Sequence, residues 1–258
     1  MDKLSKSKVP ALSRAIHILD FIAMNERCSA SMISSALNLP KSSSYLLLDE
    51  LKHLRLLAQT EDGYYRLGLK LMELGSQSIE QLDLRKIARQ YLNYLTSTTG
   101  LVCHLGILDD DTPIYLLKTE PQSAIQVRSW EGKRVSLYSS ALGKCLLAWS
   151  PSDKREKLIA NLHIKIMTPY TLSTKQQLIN ELQLIRQRGW SFDNQEDLLN
   201  IQCIAAPIFD ASHQITAAIS AVGTTLQITE QNLQILTETV VHTATQISQE
   251  LGYIKNKE

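Results

Sequence analysis

The chain has 258 residues, 44% apolar and 21% charged, so it can bury a core and is not intrinsically disordered. Ten glycines and seven prolines exclude a collagen-like or linker-dominated chain. Net charge is only +1, yet residues 1–60 hold eight Lys/Arg against five Asp/Glu and residues 81–258 hold seventeen of each, which puts the basic excess near the start.

The first element is a helix over Pro10–Met24. Pro10 suits a first turn, where its missing N–H costs nothing. Leu12, Ala15, Ile16, Leu19, Ile22 and Ala23 recur at the spacing of one buried face. A second helix spans Ser29–Leu37, with Ser29 or Ser31 as N-cap. Asn38-Leu39-Pro40 breaks it, because asparagine tolerates a left-handed turn. A third helix runs from Lys41 to His53, with Leu47, Leu48, Leu51 and Leu54 on its core face. Leu56–Gln59 and Tyr64–Leu67 flank Asp62-Gly63, a hairpin signal.

Three helices and a hairpin make a winged helix-turn-helix, whose third helix enters a DNA major groove. Lys41, Ser42, Ser43 and Tyr45 then reach the duplex, with Arg14 and Arg66 on phosphates. The pattern alone also fits a helical dimerisation module with a solvated serine-rich turn.

Leu69–Leu82 reads as a connecting helix interrupted by Gly75, and Leu84–Thr98 as another, closed by Thr99-Gly100. Beyond it, Val102–Leu108, Ile114–Thr119, Ile125–Ser129, Ile201–Phe209 and Ile215–Thr224 read as strands. Helices cover Ala141–Trp149, Pro151–Leu162, Thr174–Arg188 and Glu230–Leu251. Short turns between neighbouring strands imply an antiparallel sheet flanked by helices, so the fold class is α+β. The domain reading is a winged helix over residues 1–68, a linker helix over 69–83 and a sensor over 84–258.

Cys28, Cys103, Cys145 and Cys203 are widely spaced, which reads as buried thiols in a reducing compartment. Met1–Val9 is polar and no stretch is long enough to span a bilayer, so a cytoplasmic protein without membrane contact is expected. No catalytic residues, metal ligands or cofactors are expected. There is no GxSxG elbow and no glycine-rich phosphate loop, and the six histidines lack metal-ligand spacing. The competing function is a small-molecule-processing enzyme whose N-terminal helices only dimerise. His104 beside Cys103 could be a reactive pair, but neighbouring strand residues point to opposite faces.

An ordered set of motifs resembles the IclR-type bacterial transcription regulators from Val9 to Gly252. Leu12-Ser13-Arg14-Ala15 opens the first helix, and Leu37-Asn38-Leu39-Pro40-Lys41-Ser42-Ser43 looks like the turn and recognition-helix entry. Tyr65-Arg66-Leu67-Gly68 closes the wing, and Ala141-Leu142-Gly143-Lys144 looks like the family's A-x-G-K helix. Gly189-Trp190-Ser191-Phe192-Asp193 with Glu196, then Cys203-Ile204-Ala205-Ala206-Pro207, resembles the effector-domain signature.

The resemblance implies a GAF-like or profilin-like sensor domain, a double-stranded DNA operator and a homodimer or homotetramer. It implies effector contacts at Ala141, Leu142, Asp193, Ile201, Cys203 and Ser220. Backbone N–H groups at the start of the Ala141–Trp149 helix can bind a carboxylate, and with the resemblance the effector expected is an organic acid or sugar acid and the target a catabolic operon. The chain departs from the family pattern at Asn38 (usually glycine), at Ser44 and Leu46 (often Val, and Arg or His), at Ser139 (often His or a small residue) and at Val222 (usually serine).

Overall fold

A computed structural model of the chain describes residues 7–80, 83–122 and 128–254. The chain divides into two compact units, Met1–Gln81 and Leu82–Glu258.

In the first unit, α1 (Pro10–Met24), α2 (Ala30–Ala36) and α3 (Lys41–His53) precede the antiparallel strands β1 (Leu57–Gln59) and β2 (Tyr65–Leu67). The Ser29 side chain accepts the Met32 N–H and so caps α2. Asn38 takes the left-handed conformation, φ 51°, that the turn requires. Ile18, Leu19, Ile22, Ile33, Leu48, Leu51, Leu57 and Tyr65 pack into one core with Cys28.

The buried stripe of α1 is therefore centred on Ile18. Leu12, Ile16 and Ala23, expected on the core face, are exposed. Leu54 is likewise half exposed, whereas Ser44 is fully buried with its hydroxyl unpartnered among the described residues. The unit continues into α4 (Leu69–Glu80). Residues 81 and 82, where the connecting helix was expected to end, lie outside the described residues.

The second unit opens with α5 (Asp83–Thr99), β3 (Val102–Asp109) and β4 (Thr112–Thr119). Next come α6 (Ala141–Trp149), α7 (Ser152–Asn161) and α8 (Lys175–Arg188). It closes with β5 (Ser191–Asn194), β6 (Ile201–Phe209), β7 (Ile215–Thr224) and α9 (Leu233–Glu250). The five strands form an antiparallel sheet in the order β4-β3-β7-β6-β5.

The expected strand Ile125–Ser129 falls on residues 123–127, outside the described residues, and 128–129 belong to no strand. β5 was not expected. It is four residues long and pairs with β6, Asp193 opposite Cys203. The last helix starts three residues later than expected, behind Asn232.

Strand alternation divides the core. Ile204, Ala206 and Ile208 face α5 and α9 together with Cys103 and Leu105. Cys203, Ala205, Ala218 and Val222 face α6. On the far side of α6, Leu147 and Ala148 pack on Ile159 of α7 and on Leu178, Leu182 and Ile185 of α8. This layering puts the N-terminal end of α6 over the open face of the sheet.

Candidate nucleic-acid interface and effector cavity

On α3, the side chains of Lys41, Ser42, Tyr45 and Leu46 are exposed and Ser43 is half-buried. The N-cap is Pro40, which supplies no side-chain acceptor, so the first-turn N–H groups stay open to an anion. Arg66 is exposed on β2 and Arg14 is half-buried on α1. Among the described residues, Arg14, Lys41 and Arg66 form no salt bridge, which leaves their charge available to phosphate. Arg27 lies over the Tyr64 ring, 5.2 Å from its centroid, and adds a cation beside the wing that sequence reasoning missed. Leu46, where the family often has Arg or His, presents exposed apolar surface beside Tyr45.

In the second unit a cavity of about 560 Å³ opens between the sheet, α6 and the segment 128–136. That segment follows the outer edge of β4. Tyr115 N–H donates to the Lys133 carbonyl at 3.0 Å, and Val135 N–H donates to the Pro113 carbonyl at 2.9 Å. It delivers Arg128, Lys133 and Arg134 to the cavity wall. Arg134 is paired with Asp109, whereas Arg128 and Lys133 have no carboxylate partner among the described residues.

Of the six residues expected to bind an effector, Leu142, Asp193, Ile201 and Cys203 line this cavity. Ala141 and Ser220 do not. Ala141 is fully buried at the start of α6, and its carbonyl accepts the Ser191 hydroxyl. Ser220 is fully buried on β7, beside His104 of β3 and Ala205 of β6. Val222, where the family usually has serine, lies on the wall.

The A-x-G-K motif has a packing explanation. A Cβ at Gly143 would lie 2.1 Å from the Ser136 carbonyl oxygen, so only glycine lets the 128–136 segment pass over α6. Gly143 N–H donates to Ser140 Oγ at 3.0 Å, and Ser140 Oγ donates to the Ser136 carbonyl. Among the described residues the Ala141 and Leu142 N–H groups at the N-terminus of α6 have no acceptor. Lys144 is fully buried, donating to the Phe192 carbonyl at 2.6 Å and pairing with Glu196. Glu196 N–H donates to Asp193 Oδ1 at 2.7 Å. The signature thus ties α6 to β5 and holds Asp193 at the cavity.

Burial pushes the Asp193 carboxyl up to about 7. The charges of Glu196 and Asp197 push the same way, and the Glu196 N–H and Lys144 oppose them. Asp197 reaches the wall four residues further on, and its Oδ1 accepts the Ser139 hydroxyl at 2.6 Å. Ser139 therefore acts on the cavity through Asp197. Burial raises the Cys203 thiol, so it offers a neutral, weakly polar wall.

His104 stacks on the cavity residue Tyr115, 4.0 Å between centroids, and its Nε2 lies 2.8 Å from Ser129 Oγ. Burial, then Lys118 and Lys133, hold it down to about 3, so it is a neutral ring. Cys103 packs on the opposite face, which separates the two residues as strand alternation requires. Sequence reasoning missed the wall segment 128–136, whose three cations among nine residues were its only signal.

Among the described residues no group of three His, Cys, Asp or Glu side chains could hold a metal ion. No described helix is long and apolar enough to cross a membrane.

A helix-turn-helix unit followed by a unit with a ligand-sized cavity defines a one-component transcriptional regulator. Residues 11–61 match the IclR helix-turn-helix domain, and residues 76–249 match the bacterial transcriptional regulator IclR C-terminal domain. The chain belongs to the IclR family of transcriptional regulators. It is 47% identical over 250 residues to the uncharacterized HTH-type transcriptional regulator RhmR of Escherichia coli K12, covering 97% of this chain and 96% of that protein. It is 31% identical over 254 residues to the HTH-type transcriptional regulator KdgR of the same organism, covering 98% and 96%.

The crystal structure of the Thermotoga maritima IclR superposes with a TM-score of 0.75 at 32% identity, covering 94% of this chain and 98% of that one. These relatives are regulators, so the enzyme alternative is set aside.

Proposed function

We propose that this regulator controls a catabolic operon and that a small organic or sugar acid, bound in the C-terminal cavity, alters its hold on operator DNA. The observation that carries the reading is the cavity of about 560 Å³, which combines the cations Arg128 and Lys133 with Leu142, whose N–H at the start of α6 has no acceptor among the described residues. A carboxylate satisfies both, and Asp193 and Asp197 accept hydrogen bonds from hydroxyls on the same ligand. Ala141 enters this reading only as the buried residue that starts α6, behind the wall. Ser220 acts as a buried neighbour of His104, behind the wall.

On the DNA side, Lys41, Ser42, Ser43 and Tyr45 meet the duplex, and Arg14 and Arg66 meet phosphates. Residues 1–68 act as the winged helix, 69–83 as linker and 84–258 as sensor. A winged helix reads few base pairs, so the protein works in the cytoplasm as a homodimer or homotetramer on a palindromic operator.

A thermal-shift screen of carboxylate metabolites on the full chain tests the ligand class, because a ligand of the native state raises the melting temperature. The hit is then added to operator DNA bound by wild type and by Asp193→Ala. The reading requires the wild type to respond and the variant to bind DNA normally without responding. A full response in Asp193→Ala places the effector elsewhere.

A further inference from the structure

A second cavity, of about 540 Å³, lies on the far side of α6, between α7 and α8. Its floor is apolar, with Ala148, Ile159 and Leu182 buried. Its rim is cationic, carrying Arg155, Arg186 and Lys175. Glu156 is the carboxylate on the same rim, and it forms no salt bridge with these cations among the described residues.

Two of the cations have structural duties. Arg155 Nη1 donates to the Ser150 carbonyl at 2.8 Å and the Ala148 carbonyl at 3.4 Å, at the C-terminal end of α6. Lys175 Nζ donates to the Ala160 carbonyl at 2.6 Å, at the end of α7. Cations suit helix C-termini. That duty uses one nitrogen of Arg155 and none of Arg186.

Arg186 is exposed in the last turn of α8, where a cation also suits the helix end, and it forms no salt bridge among the described residues. Arg155 and Arg186 line the same cavity; burial, then the charge of Arg186, lower the Arg155 pKa, and the charge of Glu156 opposes them. Three cations against the carboxylate Glu156 leave the rim net positive beside an apolar floor, which is complementary to an anion on an apolar body. Guanidinium groups favour carboxylates because the planar donors match both oxygens.

We infer that this cavity is a second ligand site, taking a carboxylate on an apolar body, with Arg155 and Arg186 on the carboxylate and Ile159 and Leu182 under the body. It lies at one end of α6, whereas the effector cavity lies at the other. The site stands independently of the proposed effector reading, since it shares no lining residue with that cavity.

Isothermal titration of the full chain with 3-phenylpropionate tests it, with acetate and 3-phenylpropanol as probes lacking the apolar body or the charge. Saturable binding of 3-phenylpropionate alone is expected, weakened roughly tenfold or more in Arg186→Gln by loss of a charge-assisted hydrogen bond. Lys133→Gln, on the effector cavity wall, leaves it unchanged. Binding indifferent to Arg186→Gln overturns the site. So does binding lost in Lys133→Gln, and so does no binding up to about 10 mM, the weak end of specific recognition.

Discussion

Lys144 and Glu196 form an ion pair inside the second unit, the lysine fully buried and the second carboxylate oxygen of Glu196 without a partner among the described residues. Removing one member of such a pair strands the other charge, which costs about 3–5 kcal/mol. Lys144→Met is therefore expected to lower unfolding stability by that order. Lys144→Met with Glu196→Leu recovers most of the loss, because no buried charge remains. Urea titration of both variants checks this, and equal losses would mean that the pair does not carry the effect.

Asp193 makes stability depend on pH. Its folded-state value, about 7, lies above the ordinary value of about 3.9, so the folded protein holds the proton more tightly than the unfolded chain. The resulting stabilisation is complete below the unfolded value and is lost as pH rises through about 7. Asp193→Asn keeps the Oδ1 acceptor for the Glu196 N–H and removes the charge. The variant should gain on wild type between pH 4 and pH 8, by on the order of a few kcal/mol. Parallel pH profiles from denaturant midpoints would reject the shift.

Lys41 and Arg66 are exposed and have no salt-bridge partner among the described residues. Lys41→Ala and Arg66→Ala should each weaken operator binding and flatten its salt dependence by roughly one phosphate contact. Electrophoretic retention across a salt series measures both. Unchanged affinity and slope in both variants would remove α3 and the wing from the interface.

Two glycines should respond oppositely to alanine. At Gly143 the added Cβ meets the Ser136 carbonyl oxygen at 2.1 Å, so Gly143→Ala should destabilise by roughly 1–3 kcal/mol and displace the cavity wall. At Gly75 the Cβ meets nothing within 4 Å, so close packing within the chain does not explain this glycine. Gly75→Ala should stabilise α4 by about 1 kcal/mol. If α4 is the bend that transmits the effector signal, effector affinity stays near normal while its influence on DNA affinity changes. Calorimetry and DNA titration separate the two, and normal coupling in Gly75→Ala would discard the bend.

Local chemistry was enough for much of this protein. Pro10, Ser29 and Asn38 mark their helix starts and turn because capping and left-handed backbone act within a few residues. The bounds of α1, α3, α6, β6 and β7 were likewise legible, since apolar period and turn residues are local signals. Asp193, Cys203 and Leu142 could be named through the ordered motifs. What could not be read was which side chains meet. Leu12 and Ile16 share the period of the α1 core face yet are exposed, because the partner surface, not the period, chooses the buried stripe. β5 is a short edge strand defined by its pairing with β6. The cavity wall at 128–136 faces Asp193 only because antiparallel order puts β4 and β5 on opposite edges of one sheet. Long-range pairing made that site, and no local propensity encodes it.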